Sequence, residues 1–213
     1  EVLLINDNSM DGSAIICKHY TKLYKNINTV HFTENRGVSF CRNHGINTLT
    51  SDYIIFLDSD DYLFSNILNN LSIYITNNSK SNVIVAKHKG QYSNYNNDYF
   101  FNKNNNRKLN TMLLSIVKNQ YHSHYCWQFI IKRKFLNQYK LRFIDVKITE
   151  DIDFVARLLC FADKLYYFEE YFYWQRSSEN SLSKVRDIKT TIAFIKVIEN
   201  LDYFRSNRIL NKS

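Results

Sequence analysis

The chain has 213 residues, 45% of them hydrophobic and 23% charged, which suits one domain with its own core and excludes a disordered or fibrous chain. Its longest apolar runs are about five residues, far short of the roughly twenty a membrane helix needs, so no transmembrane helix is expected. The balance of 28 basic and 20 acidic residues gives a net charge of +8. That charge admits an anionic partner, whether nucleotide, nucleic acid or acidic membrane surface, and equally a solvated lysine-rich surface.

Val2-Leu3-Leu4-Ile5 reads as a strand covered on both faces. Asp11 can cap a helix from Gly12-Ser13, in which Ile16, Tyr20, Leu23 and Tyr24 form one stripe. Thr29 to Phe32 is a second strand. The polar turn Glu34-Asn35-Arg36-Gly37 leads into a helix through Ile46 and Leu49. Tyr53 to Leu57 is the clearest strand, β-branched and aromatic, and it ends in Asp58-Ser59-Asp60-Asp61. Ile67, Leu68, Leu71 and Ile75 predict another helix, with Ser65 as its cap, and Val83 to Ala86 a fourth strand. This alternation predicts an α/β fold with a mainly parallel sheet and helices on both faces. An Asn- and Tyr-rich loop over 91–108 follows, then a helix with Met112, Leu113, Ile116 and Val117. Cys126 to Ile131 reads as a strand, and Glu150 to Ala162 as a helix with Ile152, Val155, Ala156 and Leu159 inward. Tyr166-Tyr167-Phe168 and Tyr171 to Trp174 are strand-like, and Ile188 to about Arg205 is an amphipathic helix. Cys17, Cys41, Cys126 and Cys160 form no CxxC pair and read as reduced, mostly buried thiols in a reducing compartment.

Ligands of open parallel sheets bind beyond the carboxyl ends of the strands. That rule selects Asn6 to Ser9 and Asp58 to Asp61. Carboxylates about 5 Å apart repel by roughly 3 kcal/mol at an effective dielectric of 20. Asp58, Asp60 and Asp61 therefore suit a hard divalent cation bridging to phosphates, or a helix-capping acidic turn. Asp7 can accept an N–H from a base, or close an Asx-turn. Gly37 at a helix entry permits close approach of phosphate, and Arg42 can bind a phosphate or a carboxylate in two-pronged fashion. Glu150 and Asp151 suit a general base or simply a favourable helix N-terminus. The His122/His124 pair is a weak metal signal and reads better as a surface loop.

Glu1 to Ser13, Asn35 to Ile46, Tyr53 to Tyr62 and Thr149 to Leu159 occur in the order of the motifs of family 2 glycosyltransferases, which the chain resembles over nearly its whole length. The resemblance implies a GT-A fold and a nucleotide-sugar donor. It makes 1–90 the donor-binding half, 91–185 the acceptor-binding and catalytic half, and 186–213 a C-terminal helix. Asp7 is then expected on the donor's uracil. Asn35, Gly37, Arg42 and Asn43 are expected near the nucleotide, and Asp58 and Asp60 near ribose and cation. Asp60 and Asp61 would hold Mn²⁺ or Mg²⁺, with Asp61 the direct ligand. Asp151 is the expected general base, with Glu150 the runner-up. Arg176 and Ser181 belong to an active-site arm that touches the diphosphate. Trp127 can stack on an acceptor sugar or fill the core.

The chain departs from the family in lacking its opening strand, with the Pro-x-Tyr-Asn pattern, and the helix after it. With no Pro and an apolar strand directly behind Glu1, the chain reads as an excerpt of a longer protein. The reaction expected is inverting transfer from a nucleotide sugar to a hydroxyl of a glycan or lipid-linked glycan of the bacterial cell surface. The expected location is cytoplasmic, with basic residues able to rest on the inner leaflet, and no nucleic acid as partner. The rivals are a nucleotidyltransferase of similar architecture and a non-catalytic nucleotide or nucleic-acid binder.

Overall fold

The computed structural model describes residues 1–90, 125–176 and 188–210. In chain order they form β1 (Val2–Asn6), α1 (Ser13–Leu23), β2 (Ile27–His31), α2 (Val38–Thr48), β3 (Tyr53–Ile55), β4 (Tyr62–Leu63), α3 (Ile67–Asn77) and β5 (Val83–Gly90). A 3₁₀ turn at Cys126–Gln128 leads into β6 (Phe129–Lys132), α4 (Arg133–Gln138), α5 (Glu150–Phe161), β7 (Leu165–Gln175) and α6 (Ile188–Leu210). The predicted helix at 112–117, His122, His124 and Ser181 lie outside the described residues.

β1 and β2 pair in parallel, and the other five strands form one sheet in the order β3-β6-β5-β7-β4. Within it β3, β5 and β7 run one way, and β6 and β4 the other. Alternation correctly gives strands β3 and β5 a common direction. It carries no information on β6, which enters between them and pairs antiparallel with both, so neighbour pairing is mixed. Among the described residues, β1 and β3 each end a sheet and leave one edge without a ladder partner.

The centre of the sheet is buried on both faces, which is why Val83–Ala86 of β5 and Phe129–Ile131 of β6 are apolar without alternation. Val83, Val85, Phe129 and Ile131 point to one side, against Ile46 of α2, Phe135 and Leu136 of α4, and Phe154, Val155, Leu158 and Leu159 of α5. Their alternates Ile84, Ala86 and Ile130 meet Ile67 and Leu71 of α3, together with Trp127, Phe168, Phe172 and Tyr173. Gly90 closes the β5–β7 pairing: its φ is +146°, and a Cβ there would lie 2.3 Å from the Gln175 carbonyl oxygen.

Several expectations change at this level. The stripe on α1 is exposed and the helix buries no residue; among the described residues it packs chiefly on the β1–β2 pair. Asn66, in the left-handed region, is the N-cap of α3, and Ser65 is not. The strand expected at Cys126–Ile131 begins only at Phe129. On α5 the buried set includes Glu150, Asp153 and Arg157, while Ile152 and Ala156 are only half-buried. Of the four free cysteines only Cys126 is fully buried.

Candidate functional site

Arg42, on the second turn of α2, gathers carboxylates from two distant parts of the chain. Its NH2 donates to Asp58 Oδ1 at 2.9 Å, and its NH1 donates to Glu150 Oε1 at 2.6 Å and Asp151 Oδ1 at 2.9 Å. The Arg42, Glu150 and Asp151 side chains are only 10–13% exposed, against 36% for Asp58. One guanidinium thus ties the loop after β3 to the first turn of α5. The Phe143 ring lies under it, 5.3 Å from Cζ to centroid.

The start of α5 is set by strain. Its N-cap Thr149 has φ +66°, a conformation that β-branched residues rarely adopt. Such an outlier costs about 1–3 kcal/mol and persists where its surroundings over-determine it. Here it turns two successive carboxylates toward Arg42. Burial pushes the Asp151 carboxyl above the ordinary aspartate range, with the charge of Asp58 adding to the effect. Arg42 and hydrogen bonding from Cys126 oppose it. Glu150 is raised too, by burial and then by the charge of Asp151, with Arg42 opposing. A buried carboxylate that ionises with difficulty, beside a group that favours its charged form, is suited to taking up a proton.

The aspartate loop meets the end of β7. Tyr173 Oη donates to Asp61 Oδ2 at 2.6 Å and accepts from the Asp58 N–H at 3.3 Å. The Arg176 N–H donates to Asp61 Oδ1 at 2.7 Å, and Arg176 Nε donates to the Asp60 carbonyl. Burial raises the Asp61 carboxyl, opposed by these hydrogen bonds from Tyr173 and Arg176. Asp60 is exposed, and among the described residues nothing hydrogen-bonds its carboxylate. Tyr173 is held in turn by Trp127, stacked on it at 4.3 Å with an interplanar angle of 10°. Trp127 is 2% exposed, so of the two roles expected for it the core role holds and sugar stacking does not.

Asp7 serves the turn before α2. Its Oδ1 accepts the Arg36 N–H and its Oδ2 the Gly37 N–H, both at 2.8 Å, while Asn35 Nδ2 donates to its carbonyl. Gly37 is the N-cap of α2 with φ +84° and ψ +161°, a region essentially confined to glycine. Burial, followed by the charge of Asp7, pushes the Cys41 thiol up to about 11. Asn43 is engaged by backbone. Its amide donates to the Phe143 carbonyl and accepts the Phe143 N–H, both at 2.8 Å, pinning the loop before α5.

The structure therefore brings Arg42, Asp58, Glu150 and Asp151 together, sets Asp60, Asp61 and Arg176 beside them, and gathers Asp7, Asn35 and Gly37 at the turn that enters α2. Two groups were missed in the sequence. Tyr173 reads as a strand residue at the start of the active-site arm that the resemblance implies, with no role for its hydroxyl, although a Tyr in an apolar strand needs a partner for that group. Asp153, 0% exposed, accepts from Arg157 on the next turn and from Asn200 of α6 at 2.5 Å. The i,i+4 spacing of Asp153 and Arg157 was visible, but burial of the pair was not.

Among the described residues no three His, Cys, Asp or Glu side chains form a closed metal cage. The oxygen donors at Asp58 to Asp61 nonetheless fit a hard divalent cation. Mg²⁺ and Mn²⁺ sites of this kind use one or two carboxylates and complete their shell with water and substrate phosphates.

Two buried faces of a mixed sheet, with carboxylate loops at its rim, define a GT-A glycosyltransferase fold. Solved structures agree: Staphylococcus aureus TarS (residues 1–349, with UDP-GlcNAc) superposes with a TM-score of 0.69 at 20% identity over 88% of this chain and 52% of that one. The mannosyltransferase PcManGT of Pyrobaculum calidifontis, with GDP-Man and Mn²⁺, gives 0.64 at 13% identity over 95% and 55%. The sequence places the chain more narrowly. Residues 1–140 match the model for glycosyl transferase family 2, and the chain belongs to that family. It is 30% identical over 196 residues to the minor teichoic acid biosynthesis protein GgaB of Bacillus subtilis, covering 89% of this chain and 21% of GgaB. It is 26% identical to glycosyltransferase GlyA of Streptococcus pneumoniae, covering 87% and 27%. The chain thus spans between about a fifth and a quarter of these relatives.

Proposed function

We propose that the chain is the catalytic unit of an inverting glycosyltransferase that moves a sugar from a UDP-sugar to a hydroxyl of a cell-surface polymer. The observation carrying this reading is Arg42, which joins Asp58 of the donor loop to Glu150 and Asp151 of the base helix. Asp151 takes the proton of the acceptor hydroxyl as that oxygen attacks the anomeric carbon. The bond from that carbon to the diphosphate oxygen breaks, and the nucleoside diphosphate leaves with the electron pair. Burial favours the neutral product form of Asp151, and Arg42 keeps its resting form ionised. Glu150 is the second candidate for the same step. Asp60, with the free oxygen of Asp58, would hold Mn²⁺ or Mg²⁺, which when bound neutralises charge on the departing diphosphate. The loop at Asp7, Asn35 and Gly37 is proposed to face the nucleotide, with Arg176 toward the diphosphate.

The TarS complex with UDP-GlcNAc supports a uridine donor, and the Mn²⁺ in PcManGT supports the cation. Relatives named for minor teichoic acid biosynthesis and as a poly(ribitol-phosphate) beta-glucosyltransferase support an anionic envelope polymer as acceptor. A cytoplasmic location is part of the reading, consistent with four free cysteines. So is contact with the inner leaflet through the +8 charge. No described helix is long and apolar enough to cross a membrane.

The test is Asp151→Asn. Transfer should fall by about 10²–10⁴-fold, with UDP-sugar binding in Mn²⁺ retained. Loss of binding in proportion to rate removes the base assignment. Release of pyrophosphate instead of nucleoside diphosphate would point to nucleotidyl transfer.

A further inference from the structure

We propose that Asp61 is a positioning residue, clamping the end of β7 onto the donor loop and leaving the cation to Asp60. This rests on the donor-site reading above. Both Asp61 oxygens are engaged: Oδ2 by the Tyr173 hydroxyl at 2.6 Å and Oδ1 by the Arg176 N–H at 2.7 Å. Neither donor can easily turn away. Tyr173 is 1% exposed, wedged against Trp127, and its hydroxyl also accepts the Asp58 N–H. The Arg176 N–H belongs to backbone directly continuous with β7. A Mg²⁺ ion demands near-octahedral geometry at about 2.0–2.1 Å and would have to share an oxygen with one of these fixed hydrogen bonds, on the lone-pair site left over. Asp60 meets no such competition, since its carboxylate is exposed and without a hydrogen-bond partner among the described residues.

The clamp has a consequence for the site. Through Asp61 the backbone of Arg176 is fixed against the loop, and the Arg176 side chain returns to the Asp60 carbonyl. Arg176, directly after β7, therefore lies beside Asp60. The core stack of Trp127 and Tyr173 is transmitted to the donor loop through one hydroxyl. The fourth aspartate-loop position serves geometry and the third serves the ion.

The experiment compares Asp61→Ala, Tyr173→Phe and Asp60→Ala by two measurements. One is hydrogen exchange at the Arg176 amide, read by NMR. The other is Mn²⁺ affinity in the presence of UDP, read from the free Mn²⁺ signal in electron paramagnetic resonance. Asp61→Ala should speed exchange at Arg176 by about ten- to a hundredfold while leaving Mn²⁺ affinity nearly unchanged. Tyr173→Phe, which keeps the stack and removes only the hydroxyl, should speed exchange at Arg176 in the same sense but less, again with Mn²⁺ affinity nearly unchanged. Asp60→Ala should leave the Arg176 amide protected and weaken Mn²⁺ by at least about tenfold. Asp61→Ala losing Mn²⁺ as Asp60→Ala does, with the Arg176 amide still protected, overturns the proposal. If Asp61→Ala does not fold, unchanged exchange in Tyr173→Phe overturns it instead. A parent chain that binds no Mn²⁺ with UDP sinks the donor-site reading, and the exchange comparison still decides the clamp.

Discussion

Replacing Arg42 by Met keeps most of the side-chain volume and removes the one cation shared by three carboxylates. With charge centres about 4 Å apart and an effective dielectric of 20, each contact is about 4 kcal/mol before desolvation. Those terms do not add to a stability, because burial of the ions opposes them and Asp58, 36% exposed, is screened by water. Removing one partner of a buried ion pair costs about 3–5 kcal/mol, and that range applies to the contacts with Glu150 and Asp151. For a chain of this size it corresponds to a melting point lower by about 6–20 °C. The loss should depend on pH. Without Arg42, the carboxyls of Glu150 and Asp151, already raised by burial, rise further in the folded state only. The folded protein then binds more protons than the unfolded chain between the ordinary carboxylate range and the raised values, so the variant gains stability as pH falls through that window. Urea unfolding at pH 7 and pH 5, followed by the fluorescence of Trp127 and Trp174, measures both quantities. A penalty below about 1 kcal/mol at pH 7, or one that grows on acidification, refutes the view of Arg42 as the buried counter-charge.

Three further outcomes are expected. His88 is buried and its pKa is lowered by that burial to about 4, so folding excludes its protonated form. Stability should be complete above pH 6.5 and decline by up to about 3 kcal/mol as pH falls toward 4, with the decline reduced in His88→Gln on a melting-versus-pH series. Gly90→Ala should destabilise more than Gly37→Ala in denaturant titrations. The first forces a Cβ onto the Gln175 carbonyl, whereas the second has open space and suffers only the backbone strain of about 1–3 kcal/mol. Transfer measured against pH should fall on the acid side above the ordinary aspartate range, because burial raises Asp151, and that acid limb should disappear in Asp151→Asn.

Much of this was legible in the residues. Runs such as Val83 to Ala86 could only be strands buried on both sides, and the acidic loop after β3 had to sit at a strand end. Hydrophobic period and turn chemistry are local, so they survive without a third dimension. The four spaced motifs carried the family. Less legible was which partner each polar group would find. Asn43 adjoins Arg42 in sequence, yet one step of about 100° around α2 sends it to the Phe143 backbone while Arg42 faces the site. Trp127 read equally as a sugar platform or a core residue until Tyr173 was found stacked on it.

The sequence alone determined the class of fold, the family and the set of residues from which a site could be built, because patterning and motif order are properties of the chain. Tertiary structure decided the rest. The antiparallel entry of β6 between β3 and β5, the exposure of the α1 stripe, and the meeting of Asp58 with Glu150 and Asp151 on one guanidinium all depend on contacts between remote segments. Arg42 lies 108 positions from Glu150. Only burial of both beside Phe143 makes their charges indispensable to each other.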